Sequence, residues 1–374
     1  MDFYKKALGQ AKKLGGKIGL YSKIKIKTRE DLATAYTPGV AAVSQEIAKN
    51  QQKARELTSK GNSVAVVSDG TSVLGLGDIG PLAALPVIEG KCLLFKEFAG
   101  IDAFPVVLGT KEVNEIVTTI RHIAPGFGGI NLEDISAPRC FEIEEKLQDI
   151  GIPVFHDDQH GTAIVILAAL TNALKVVGKE MSKSKVVVFG AGAAGIATAK
   201  IISPGKLVLI DSKGPINSTR KDLNRYKKEV TKRKNYLEVA SLERAFRDAD
   251  VFIGVSGRGK LPAKLINLMK PGSIIFALSN PNPEIMPDEA EAAGAAIVAT
   301  GRSDFPNQIN NVLVFPGIFR GVLDKGAKRI TAEMKLATAS ALAGMIFRPT
   351  PENILPSPLD KNVVKTIRRT ILDL

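Results

Sequence analysis

Val186-Val-Val-Phe-Gly190-Ala-Gly192-Ala-Ala-Gly195 decides the fold of this chain. Its apolar, β-branched opening is what a strand covered on both faces requires. The chain then turns at glycine and continues into a helix expected over 196–202. Gly190 permits the tight turn, Gly192 lets a pyrophosphate approach the backbone, and Gly195 allows close packing of helix on strand. Ala193 and Ala194 stand at the helix start, where free amides face a phosphate. A glycine turn of this kind also serves plain strand–helix packing. Here, however, Asp211 closes the next strand, 21 residues after Gly190, where a carboxylate can accept from ribose hydroxyls. Context and acid together predict a dinucleotide site for NAD or NADP. Asp211 repels a 2′-phosphate and so favours NAD, while Lys213, two residues on, offsets that repulsion.

Working outward, apolar strands are expected at 207–210, 251–255, 273–277 and 296–299, and upstream at 63–68, 105–108, 130–132 and 153–155. Helices are expected between them, near 82–98, 111–124 and 138–150, with an apolar helix leading on from Gly161. Strands alternating with helices imply parallel sheets covered on both faces. The predicted class is α/β with two domains: residues 1–160, an α/β substrate and metal domain with a helical arm over 1–60, and residues 161–374, a Rossmann-type dinucleotide domain with C-terminal helices. In the arm, Thr28 is a candidate N-cap with Glu30 and Asp31 in the first turn. The spacing of Val43, Ile47, Ala54 and Leu57 suits an amphipathic helix.

At 45% hydrophobic and 24% charged, the chain of 374 residues is globular in composition. Its apolar stretches fall short of a membrane span, and its N-terminus carries no apolar core with a cleavage site. Two cysteines, Cys92 and Cys140, make no disulfide framework. A reduced, cytoplasmic setting is the expectation. Of the net charge of +13, the first 60 residues hold a surplus of 8. Aromatics at 5% leave no basic stretch with interleaved stacking residues, which argues against a nucleic-acid partner. The second basic run, 220–234, reads as the solvated face of a surface helix.

The other constellation is acidic. Glu133 and Asp134 follow one short strand, and Asp157 and Asp158 follow the next. Neighbouring parallel strands end on the same side, so both pairs converge beside the crevice where ligands bind. Oxygen ligands with open positions suit Mg²⁺ or Mn²⁺. The same residues also suit helix starts, as favourable charges or caps. The pattern alone leaves both open. His156 and His160 flank the second pair, but oxygen-rich sites for hard cations rarely need them.

The runs Tyr36-Thr-Pro-Gly-Val40, Val73-Leu-Gly-Leu-Gly-Asp78, Phe155-His-Asp-Asp-Gln-His-Gly-Thr-Ala163, Leu278-Ser-Asn-Pro281 and Asn310-Asn-Val-Leu-Val-Phe-Pro-Gly317 resemble malic enzymes in order and spacing. The short prokaryotic branch is the nearest in character. The resemblance implies oxidative decarboxylation of malate to pyruvate and carbon dioxide, with NAD(P) and Mg²⁺ or Mn²⁺. It implies Tyr36 as general acid, Lys91 as general base and Asp157 as the carboxylate that holds the lysine. It also implies Glu133, Asp134 and Asp158 as metal ligands, and Asn280 and Asn311 as amides that contact substrate and nicotinamide. For Lys91 to act it must be neutral, which metal charge and desolvation favour and Asp157 opposes. Lys96, the rival base, lies about 140° away round the helix.

Three places depart from the larger relatives. Thr71 and Ser72 stand where those carry a carboxylate-clamping arginine, and His156 and Gln159-His160 alter the acidic motif. No allosteric motif is matched. The rival readings are a malolactic enzyme releasing lactate, and a basic nucleic-acid-binding protein on a Rossmann scaffold. A homodimer is expected, because the arm has apolar helical stripes without a surface to cover them, and Tyr36 is expected at the partner's site.

Overall fold

The computed structural model describes residues 3–73, 75–257 and 260–374. Leu74, inside the Val73–Asp78 motif, lies outside the described residues.

Two sheets organise the chain. The first has four strands in the order β2-β1-β3-β4, where β1 is Ser63–Ser68, β2 Asp102–Val107, β3 Gly129–Leu132 and β4 Val154–His156. The second has six strands in the order β10-β9-β8-β5-β6-β7. Here β5 is Lys185–Phe189, β6 Lys206–Asp211, β7 Gly214–Pro215, β8 Val251–Gly254, β9 Ser273–Ala277 and β10 Ala295–Thr300. Among the described residues, every pairing between these strands is parallel except that of β6 with the two-residue β7. The chain leaves β5 to one side for β6 and returns on the other for β8, so a crevice opens at the C-terminal end of β5.

The side-chain alternation of a strand explains why these runs are apolar throughout. Val186 and Val188 face one core, shared with the first sheet, and Val187 faces another beneath Phe246 and Phe252. The larger core runs unbroken from Val64 to Ile371. It is closed by the helix Phe315–Lys325, whose Phe315 and Phe319 rings lie 4.7 and 5.3 Å from Phe95. Late residues of the chain thus pack on its first sheet. Truncating Phe319 to alanine removes about 3–5 kcal/mol by the usual cost of a buried aromatic.

The predicted parallel α/β architecture holds, and several boundaries differ: β2 begins at Asp102 and the helix after the glycine turn at Ala193, each three residues earlier than expected. The apolar helix begins at Asp157, not near Gly161: it spans Asp157–Val176, because the His156 ring accepts from the Gln159 amide and caps it. The arm stripe is not one helix. Gly39–Lys49 stops where the Asn50 side chain accepts from the Gln52 amide, and Ala54–Leu57 is a separate turn. The basic run 220–234 is helical only over Arg225–Thr231, and several of its cations turn inward. The N-cap at Thr28 is present, closed by Asp31 as a capping box.

Candidate active site

β3 and β4 lie side by side with Leu132 paired to His156, so the acids that follow each strand meet. Carboxylate oxygens of Glu133, Asp134 and Asp158 lie within 4.8 Å of one another. Asp134 is held in a left-handed backbone conformation, φ 54°, a strained arrangement that surrounding structure must enforce. Its amide donates to Asp158 Oδ2 at 2.8 Å, and its carbonyl accepts from the Ser72 amide at 2.9 Å. Asn131 Nδ2 orients Glu133 by donating to Oε2 at 2.9 Å.

Burial raises the pKa of all three acids, and repulsion from Asp158 and Glu133 helps push Asp134 up to about 9. Asp134 Oδ2 is buried without a hydrogen-bond partner. Hard oxygen donors, mutual repulsion and an orphaned oxygen are what a divalent cation relieves, so the donor set fits Mg²⁺ or Mn²⁺.

Lys91 comes up beside the acids from the helix Pro81–Ala99. Its Nζ lies 2.6 Å from Asp157 Oδ2 and 2.8 Å from Glu133 Oε1, and 4.2 Å above the Phe315 ring. Burial pulls the ammonium toward neutrality, but Asp157 and Glu133 outweigh it and hold the pKa above its ordinary value. Asp157 thus opposes the neutral amine, as expected, and Glu133 adds to that opposition. Lys96 faces elsewhere, paired with Asp102 at 2.7 Å and Tyr21 at 3.2 Å.

Glu144 and Gly161 are among the residues of the site that escaped sequence reasoning. Glu144, on the helix Arg139–Leu147, accepts from the His156 amide, Gln159 Nε2 and His160 Nε2 at 3.1, 3.2 and 2.8 Å. It thereby ties down the start of the helix that carries Asp157 and Asp158. The available signal was a charge on the apolar stripe Cys140, Glu144, Leu147. Gly161 is the other: a Cβ there would sit 1.8 Å from Asp157 Oδ1, so only glycine leaves that carboxylate in place.

A cavity of about 1450 Å³ joins this centre to the glycine turn. Lys91, Glu133, Asp134, Asp158, Asn280 and Asn311 border one part; Gly190, Gly192, Ala193, Ala194 and Asp211 border another. A Cβ at Gly192 would meet no atom within 4 Å, whereas one at Gly195 would strike the Gly190 carbonyl at 1.7 Å. The first keeps open the space a pyrophosphate needs, and the second sets the close packing of the helix Ala193–Ile201. That helix has no side-chain cap at its start, so its amides face the cavity without one. The residues present fit a dinucleotide.

Four predicted residues lie outside the cavity lining: Asp157 and Gly195 are buried behind it, and Tyr36 and Lys213 lie away from it. Tyr36 is 67% exposed and outside its lining. Lys213 Nζ pairs with Asp222 at 2.9 Å. Lys17, from the arm, does border the cavity, held by Glu89 and the Pro86 carbonyl; nothing in the pattern around it pointed there.

Residues 16–148 match the malic enzyme N-terminal domain model, and residues 159–368 the malic enzyme NAD-binding domain model. A bifunctional malic/malolactic enzyme of Bacillus subtilis is 51% identical, with 99% of this chain and 92% of the relative covered. An NADP-dependent malic enzyme of Halomonas elongata is 46% identical over 97% of this chain and 86% of its own length. Among solved structures, the NAD-dependent malic enzyme of Thermotoga maritima superposes with a TM-score of 0.94 at 46% identity, covering 98% of each chain. With the two family domains matched over residues 16–148 and 159–368, and an acidic centre sharing one cavity with the glycine turn, the chain belongs to the malic enzyme family.

Proposed function

We propose that this protein oxidises and decarboxylates L-malate to pyruvate and carbon dioxide, reducing NAD or NADP with a divalent cation bound. The observation that carries the proposal is one cavity that Lys91, held from behind by Asp157, and three carboxylates share with the glycine turn. Glu133, Asp134 and Asp158 would hold the cation, which would acidify the substrate 2-hydroxyl and, by its charge, lower the pKa of the Lys91 amine.

Lys91 Nζ is the group to take the 2-hydroxyl proton, and NAD or NADP, when bound, would accept the hydride from carbon 2. Asp157 holds the amine in position throughout. The resulting 2-keto acid loses its distal carboxylate as carbon dioxide, leaving the enolate of pyruvate. Tyr36 Oη delivers a proton to carbon 3, and the proton gained by Lys91 balances the one Tyr36 gives up. Asn280 and Asn311 orient substrate and nicotinamide from the cavity wall. On this reading residues 1–160 supply the substrate and metal side, and residues 161–374 the dinucleotide side.

The working unit is a homodimer. The helices Phe3–Leu14, Arg29–Ala35 and Gly39–Lys49 have no buried residue. They leave Phe3, Leu8, Leu32, Val40 and Val43 exposed, an apolar surface of the kind a partner covers. A two-fold exchange of arms brings Tyr36 of each chain to the other's Lys91.

Following reduced nicotinamide with L-malate and Mn²⁺, while measuring pyruvate and lactate, tests the activity. Reduced cofactor accompanied by pyruvate is expected. Lactate without net reduction indicates the malolactic reaction, and silence with salt-sensitive DNA binding indicates the nucleic-acid reading.

A further inference from the structure

We infer that Lys17, on the arm, is the counter-charge for the carboxylate on carbon 4 of the substrate, and so sets the preference of this site for a dicarboxylate. The inference rests on the malate reading above and assigns that reading a further residue.

L-Malate brings two negative charges into the cavity. A 2-hydroxy acid offers a metal ion its hydroxyl and the adjacent carboxylate as oxygen ligands, which leaves the carboxylate on carbon 4 for the protein to meet. A charge taken out of water needs a partner. Among the described residues, the cations that border the cavity are Lys17, Lys91 and Lys227. Lys91 is committed to Asp157 and Glu133 at 2.6 and 2.8 Å. Lys227 is committed to Asp211 at 2.6 Å, at the end of β6 on the dinucleotide side. Lys17 differs. Its Nζ donates to a neutral group, the Pro86 carbonyl, at 3.1 Å, and among the described residues no carboxylate pairs with it. An ammonium has three donors, so a carboxylate can be met without breaking that bond. Arg139 is no substitute. It does not border the cavity, and its terminal nitrogens are spent on Asp69, Thr71, Ser136 and the Lys111 carbonyl.

The chain is shaped to bring Lys17 to this place. After the helix Phe3–Leu14, Gly15 and Gly16 take φ values of 67° and 129°, a turn that suits glycine. The Lys17 amide then donates to Glu89 Oε2 at 3.0 Å, and a Cβ at Gly16 would lie 3.3 Å from both Glu89 oxygens. Glu89 and Pro86 belong to the helix Pro81–Ala99, which also carries Lys91. Gly90 and Leu94 of that helix border the cavity beside them. One helix therefore holds both the base and the counter-charge.

Steady-state kinetics of the full-length protein with L-malate and Mn²⁺ test this, together with competitive inhibition by L-lactate, which is malate without the carboxylate on carbon 4. Lys17→Met should raise KM for L-malate about tenfold or more, the loss of one charged contact. It should lower kcat far less, because that carboxylate departs as carbon dioxide and its grip does not tighten in the transition state. Inhibition by L-lactate should be nearly the same in Lys17→Met and wild type. Lys17→Arg should recover most of the affinity for malate. An unchanged KM for malate in Lys17→Met, or equal weakening of malate and lactate, overturns the inference and leaves the malate reading standing. Wild type that forms neither pyruvate nor reduced cofactor from malate overturns both.

Discussion

Lys91 and Asp157 form a wholly buried ion pair, Nζ to Oδ2 2.6 Å, across the junction of the helices Pro81–Ala99 and Asp157–Val176. Glu133 is the second carboxylate on the same ammonium at 2.8 Å, and it also belongs to the acidic trio. Glu133 therefore links the base to the cation site. Asp157→Asn keeps the shape of the pair and removes its charge. Turnover should fall by roughly two to four orders of magnitude, the range of a lost acid–base function. Mn²⁺ binding should persist, since Asp157 is not one of the three clustered ligands. Unimpaired kcat in that variant would remove Asp157 from the mechanism.

Gly161→Ala should be nearly as damaging although position 161 carries no functional group. The added methyl meets Asp157 Oδ1 at 1.8 Å, and Asp157 cannot yield without leaving Lys91. Alanine is the better helix former, so a purely structural account expects a neutral or stabilising change. A folded variant with its melting temperature near wild type and a large loss of kcat separates the two accounts.

The cation-free centre titrates in a way that thermal unfolding can read. Burial and like-charge repulsion raise Asp134 to about 9, so the folded chain holds a proton there that the unfolded chain loses near its ordinary carboxylate value. A folded state that binds more protons loses stability as pH rises. The window runs from about pH 4 to about pH 9. A divalent cation removes that penalty and stabilises the folded state it binds. The rise in melting temperature caused by Mn²⁺ should therefore be larger at about pH 8 than at about pH 5. It should shrink at both in Asp158→Asn and Glu133→Gln. An Mn²⁺ effect identical in those variants and wild type would dissolve the proposed site.

Tyr36 lies on the exposed arm, outside its own chain's cavity. If arms exchange, mixing inactive Tyr36→Phe chains with inactive Lys91→Ala chains creates dimers holding one intact site. Activity should return to about a quarter of wild type for random mixing. No recovery after demonstrated subunit exchange would place both residues in one chain.

The sheets were legible because their strands are buried on both faces, as in Val186–Val188, and such runs leave little else for the chain to do. The convergence of Glu133 and Asp134 with Asp157 and Asp158 was legible for a related reason, since parallel neighbours end together. The start of the Asp157 helix was not. His156 caps it through a ring nitrogen, and histidine is not a usual capping residue. Glu144 was hidden because a glutamate on a helix is ordinarily solvated, and its burial depends on His156 at the end of β4 and on Gln159 and His160 in the helix that follows. Arg220 and Lys227 look like their neighbours in a basic run. Only the fold shows them turned to Asp211.

The centre itself is tested most directly by following reduced nicotinamide and pyruvate together, from L-malate and Mn²⁺, in wild type and Lys91→Ala. Equal production of both by wild type is the expected result, with malate oxidation lost in Lys91→Ala while Mn²⁺ and cofactor still bind. Near wild-type oxidation by Lys91→Ala at every pH would contradict the account.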